Sequence, residues 1–228
     1  MVRSVEKLKI MNIFELLKQS DAGEDYARKL KKNIKAGCCY PWLQKIDILL
    51  NKSEIDQQEI LKKNFQSIKQ PGQLLDKLAE LLVAYKFLDQ EPKFFDDNKG
   101  KPDIYLQKNN KYIEVKRINK SDEEQKIIND LISNPDQMLT RDISNKLSKQ
   151  NEGERALIKK AKEHIDKAIE QLNNEGIIYL VYSLDLTSCI KSLEQRNQNF
   201  KNEIKSYFNS LNKNSISLEH HDENELFK

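Results

Sequence analysis

Residues 154–172 read ERALIKKAKEHIDKAIEQL, and after a short break closed by Gly176 the chain continues IIYLVYSL. The first stretch gathers Leu157, Ile158, Ala161, Ile165, Ala168, Ile169 and Leu172 on one face of a helix and sets charge on the other. The second is apolar at successive positions, so both faces of an extended chain would be apolar. That predicts a strand at the centre of a sheet, covered on two sides. A helix that leads into such a strand is the return arm of a crossover. It places the strand parallel to the one before it, so the expected class is α/β.

The rest of the chain arranges itself around that unit. QLLDKLAELLVAYKFL, from Gln73, predicts a strongly apolar helix, PKFFDD a strand, and residues 99–118 two further strands around an Asn109-Asn110 turn. Residues 1–71 read as a helical accessory segment, with Gly37 as a C-cap, Pro41 opening one helix and Ser53 the N-cap of another. Pro71-Gly72 marks the expected boundary. The expected core, residues 72–186, is a helix, a three-strand antiparallel meander, a crossover helix, and a fourth strand parallel to the third. A polar helical insertion at 119–153 interrupts it, and a C-terminal helix with a polar tail fills 187–228.

Composition narrows the setting. Of 228 residues, 38% are hydrophobic and 33% charged, which suits a globular chain with a real core. No apolar run approaches the ~20 residues of a membrane helix, and the charged N-terminus carries no signal-peptide pattern. The three cysteines, Cys38, Cys39 and Cys189, have no C-x-x-C spacing and an odd count, as expected of a reducing compartment; the expected location is cytoplasmic. Cys38 and Cys39 are expected to be buried thiols. Residues 1–69 hold 14 Lys and Arg against 9 Asp and Glu, a balance compatible with nucleic acid.

The hairpin carries the chemistry. Side chains alternate along a strand, so Glu114 and Lys116 share a face. With a two-residue loop, Tyr105 would face Glu114 and Asp103 would face Lys116, putting Asp103, Tyr105, Glu114 and Lys116 together and leaving Ile104, Leu106, Ile113 and Val115 for the core. Two carboxylates so placed can converge on one hard divalent cation, and the lysine adds a compact positive charge. Those are parts that phosphodiester hydrolysis requires.

Pro102-Asp103 followed by Glu114-Val115-Lys116 resembles the PD-(D/E)XK nuclease superfamily, the restriction-endonuclease-like fold. The chain holds five [DE]-x-K triplets, and only this one falls in a predicted strand in register with a Pro-Asp. The resemblance covers about half the chain. It implies a Mg²⁺- or Mn²⁺-dependent endonuclease acting on DNA, with Asp103, Glu114 and the Val115 carbonyl as metal ligands. Glu80 on the preceding helix would assist the metal and Lys116 the chemistry. Many members of the superfamily work as dimers, so a homodimer is an expectation of the same kind.

Other residues weigh less. Asp76 shares the Glu80 face and is the fallback carboxylate. Lys160, His164, Lys167 and Gln171 line one edge of the crossover helix; Lys160 is the choice for nucleic-acid contact and His164 reads as a boundary histidine. Arg28, Lys31, Lys32 and Lys35, before Tyr40 and Trp42, form a second candidate nucleic-acid surface, against the plainer reading of a solvated helix face. Two other functions stay open: a catalytically silent nuclease-fold module for nucleic-acid binding or assembly, and a helical interaction protein in which the motif is coincidence.

Overall fold

The computed structural model describes residues 11–96, 101–118, 143–173, 175–182, 190–222 and 226–227, with helices traced as backbone alone through 143–154 and 190–197. It is α/β, with seven helices and five strands in antiparallel and parallel pairs among the described residues. The chain divides into two compact units, residues 1–111 with 226–228, and residues 112–225. The boundary expected at residue 71 therefore falls inside the first unit.

Unit 1 holds α1 (Ile13–Leu17), α2 (Asp21–Lys35), α3 (Pro41–Lys52), α4 (Ile55–Gln66) and α5 (Pro71–Lys86), then β1 (Pro92–Phe94) and β2 (Ile104–Leu106). Residues 11–70 hold four helices joined by short connections, while residues 1–10 of the expected helical segment lie outside the described residues. Asn12 and Ser20 cap α1 and α2 by accepting from the Glu15 and Gly23 N–H groups. Gly37 ends α2 at φ 91°, where its N–H reaches the Ile34 carbonyl and the Cys38 N–H reaches that of Asn33, the paired bonds of a Schellman cap. Ser53 does not cap α4. Its hydroxyl donates back to the Leu49 carbonyl at 2.8 Å, and α4 starts after Glu54.

The core of this unit is built on α5, whose Leu74, Leu78, Leu81, Leu82 and Val83 are almost fully buried. Trp42 of α3 is buried too, edge-on to Phe227 at 5.6 Å between ring centroids. β1 and β2 pair antiparallel with Lys93 opposite Tyr105. The turn after β2 occupies residues 107–110 rather than two residues, with Asn110 at φ 52°. Cys38 and Cys39 are exposed, not buried, because they follow the cap on the solvent side of α2.

Unit 2 holds β3 (Lys111–Ile118), α6 (Ile143–Gln171), β4 (Gly176–Tyr182), α7 (Ile190–Ser210) and β5 (Ile216–Asp222). β4 is buried at every residue and runs parallel to β3, as its sequence predicts. The expected polar tail instead contains a strand, since β5 pairs parallel with β4 through a second crossover. Residues 119–142 of the expected insertion lie outside the described residues, while 143–153 are the first turns of α6 and not a separate helix.

The register shows which side chains share a face. Glu114, Lys116 and Ile118 stand beside Ile178, Leu180 and Tyr182, and these beside Leu218, His220 and Asp222. Ile118, Ile178, Leu180 and Tyr182 pack with Leu157, Ala161, Ile165, Ala168 and Leu172 of α6 and with Phe200 and Ile204 of α7. Both helices thus cover the Glu114 face, as two crossovers of one hand in one direction require. α6 ends at Gln171 and the chain turns at Asn173, with φ 50°, and Gly176 opens β4 at φ 140° instead of ending the helix.

Candidate active site

The carboxylate of Glu114 is the unusual group of unit 2. Neighbouring positions on its sheet face are filled by Ile118, Ile178 and Leu180, yet Glu114 is 0% exposed. Burying a carboxylate costs several kcal/mol unless a partner compensates it. Here the partner is on the same strand, two residues on: Lys116 Nζ donates to Glu114 Oε1. The residue parity of a strand therefore brings the two together, as expected, and Val115 between them turns to the opposite face and is buried.

Lys116 also acts on α6. Its charge, with those of Lys160 and Lys167, opposes protonation of His164, whose pKa is pushed down first by burial and then by these lysines, against a smaller upward pull from Glu163. Unit 2 thus gathers Glu114, Lys116, Lys160 and His164 on one side of the sheet. His164 is the residue that sequence reading undervalued. The signal available for it was its i+4 spacing from Lys160 along the polar edge of the helix.

In unit 1, Glu80 is held on α5 by Lys77 of the turn before, Nζ to Oε2 at 2.9 Å, with both side chains mostly buried. Asp103 is half-buried at the residue preceding β2, and Tyr105 Oη donates to Asn110 Oδ1 at 2.8 Å. Asp76 is half-buried on α5. Arg28, Lys31, Lys32 and Lys35 are all exposed on α2, where Arg28 pairs with Asp25 and Lys31 stands 5.1 Å from the Phe14 ring centroid. This fits a solvated helix face as well as a nucleic-acid surface.

The donor types of the sequence motif, carboxylates and a backbone carbonyl, are those a hard divalent cation takes. A cation at Glu114 Oε1 would have to displace the Lys116 ammonium. Among the described residues, no three or more His, Cys, Asp and Glu side chains converge as a metal site. No helix there is long and apolar enough to cross a membrane.

No protein-family model matches this sequence, and no curated protein or solved structure matches it.

Proposed function

We propose that this protein is a metal-dependent nuclease that hydrolyses phosphodiester bonds of DNA. The observation that carries the reading is the fully buried Glu114 carboxylate with the Lys116 ammonium on it, in a strand position where an apolar residue would pack. Ionisable groups held out of water against a specific partner are characteristic of working sites.

Glu114 and the Val115 carbonyl would hold the metal, with Asp103 and Glu80 as the further ligands the motif implies. When bound, Mg²⁺ or Mn²⁺ lowers the pKa of water and offsets charge on the phosphate. Lys116, which rests on Glu114 Oε1, would be the donor that meets charge developing on a phosphate oxygen. The mutual neutralisation of Glu114 and Lys116 also suits a silent nucleic-acid-binding module of the same fold, and cleavage distinguishes the two.

The test is Lys116→Met with plasmid DNA and Mg²⁺ or Mn²⁺. Removing one preorganised donor should lower turnover about 10²–10³-fold. Because the variant strands a buried carboxylate, which costs roughly 3–5 kcal/mol, the double variant Glu114→Gln/Lys116→Met is assayed beside it. It should regain much of the lost stability and stay inactive. Cleavage by a folded Lys116→Met protein at the wild-type rate, or no cleavage by wild type, would overturn the reading.

A further inference from the structure

Free cysteine is among the most buried of residue types, and where a chain keeps it at the surface its reactivity, not its packing, is the reason. Cys38 and Cys39 are free thiols, adjacent in the chain and both exposed. They lie at the corner between α2 and α3, in a run from residue 31 to residue 39 that is exposed throughout. The corner is fixed at both ends. The Cys38 N–H reaches the Asn33 carbonyl at 3.0 Å, Asn33 Nδ2 donates to Tyr40 Oη at 3.0 Å, and Pro41 starts α3. Ile34 belongs to the same corner and is 40% exposed, one of three large hydrophobic side chains exposed among the described residues.

The two thiols are badly placed to join each other. The peptide bond between them is trans, which sets their Cα atoms about 3.8 Å apart, short of the roughly 4.4–6.8 Å that a disulfide takes. A shared metal ion removes that conflict. Zinc holds thiolates at about 2.3 Å in a tetrahedron, so two sulfurs on one ion stand about 3.8 Å apart. Cys38 and Cys39 lie outside helix and strand, so the alternation of a strand does not set them on opposite sides.

Thiolates select soft or borderline ions, and a closed zinc site takes four ligands. One chain supplies two here, since among the described residues no three or more His, Cys, Asp and Glu side chains could hold a metal together. A second copy of the corner brings the other two, and it also covers Ile34. Charge makes the contact depend on the metal. Lys32 and Lys35 are exposed in the last turn of α2, just before the thiols. Two such corners repel each other when metal-free, whereas a zinc ion with four thiolates is a dianion that these ammonium groups offset.

We propose that Cys38 and Cys39 of two copies of this chain bind one Zn²⁺ as a four-thiolate centre, with Ile34 of each copy packed into the contact. Four S–H bonds give way to four S–Zn bonds, the four protons pass to solvent, and no electron is transferred. The site uses none of the carboxylates that a hard cation would take, and it stands apart from the nuclease reading.

The probe is Zn²⁺ itself, added to the full-length protein after reduction and removal of metal with a chelator. Sedimentation velocity should show the mass double, bound zinc should reach one ion per two chains, and EDTA should return the monomer. Co²⁺ in its place should give the absorption of tetrahedral thiolate coordination, and Mg²⁺ should do nothing. Cys38→Ser and Cys39→Ser should each lose the doubling and the cobalt absorption, while Cys189→Ser keeps both. Ile34→Asp should weaken the zinc-bound dimer about tenfold, since an apolar contact is lost from each copy. Zinc bound with no change of mass, doubling that survives in both Cys38→Ser and Cys39→Ser, or a dimer indifferent to EDTA would each overturn the proposal. A dimer that a thiol reductant dissolves and EDTA does not is an intermolecular disulfide, and that result overturns it too.

Discussion

Gly176→Ala should be among the most damaging single-methyl changes in the chain. Gly176 opens β4 at φ 140°, in a region that side-chain-bearing residues rarely enter, and forcing one there costs about 1–3 kcal/mol. A Cβ would also lie 2.6 Å from the carbonyl oxygen of Tyr112 in β3 and 2.9 Å from Leu172 Cδ2. The Leu172 tip can rotate, but the Tyr112 oxygen is strand backbone and moves only with β3, an overpacking term of roughly 1–3 kcal/mol. Alanine restricts the unfolded chain and returns about 0.4–1 kcal/mol, leaving a net loss of roughly 1–6 kcal/mol. Two other glycines separate the terms. Gly37 has φ 91° and open space around its Cβ position, so Gly37→Ala carries only a backbone cost of about 1–2 kcal/mol. Gly72 lies in the first turn of α5 with open space and no positive φ, so Gly72→Ala should stabilise by about 0.5–1 kcal/mol. Urea denaturation followed by circular dichroism gives all three on one scale. Gly176→Ala no less stable than Gly37→Ala would refute the close approach of the α6–β4 turn to β3.

Two more outcomes follow from the caps and the histidines. Ser20→Ala removes the side-chain acceptor at the start of α2 and should cost about 1 kcal/mol, whereas Ser20→Gly should cost only a few tenths; equal losses in urea melts would mean that the cap bond contributes nothing. His164 and His220 both have pKa values lowered by burial and by neighbouring lysines, Lys201 and Lys205 in the case of His220. The unfolded chain takes up protons first, at about pH 6.5, so the stability from keeping these rings neutral is present above that pH and is lost as pH falls through the folded values. Thermal melts across this range should show the slope, reduced in His164→Gln, and a stability independent of pH there would contradict it.

Sequence periodicity resolved the elements whose environment is uniform. β4 is apolar at every position because both faces are covered, and α6 shows its core face from Leu157 to Leu172 for the same reason. β5 was hidden because only part of it is covered. Ile216 and Leu218 alternate as a strand should, but His220 and Asp222 continue that face and read as a polar tail. The early turns of α6 were hidden because residues 143–153 have little apolar periodicity and contain Gly153, so the helix is propagated from the segment after it. At the site, alternation alone put Glu114 and Lys116 on one face. The partner of Lys116 was not legible, since an i, i+2 contact and a cross-strand contact satisfy the same pattern, and only the burial of Glu114 shows the need for a partner on its own strand.

The position of that pair bears on why it exists. Beside it in the register, Ile178 and Leu180 contribute to a close-packed apolar layer under α6 and α7. An apolar pair of similar volume at 114 and 116 would extend that layer and is often neutral or stabilising relative to a buried ion pair. Stability alone therefore gives no reason for a carboxylate and an ammonium there. The charge also does not stop at the strand, because the α6 flank serving the same side carries Lys160, His164 and Lys167, while the opposite flank is tied to α7 by Asp166 and Lys162. A buried ion pair that packing does not call for is the kind of group a working site retains.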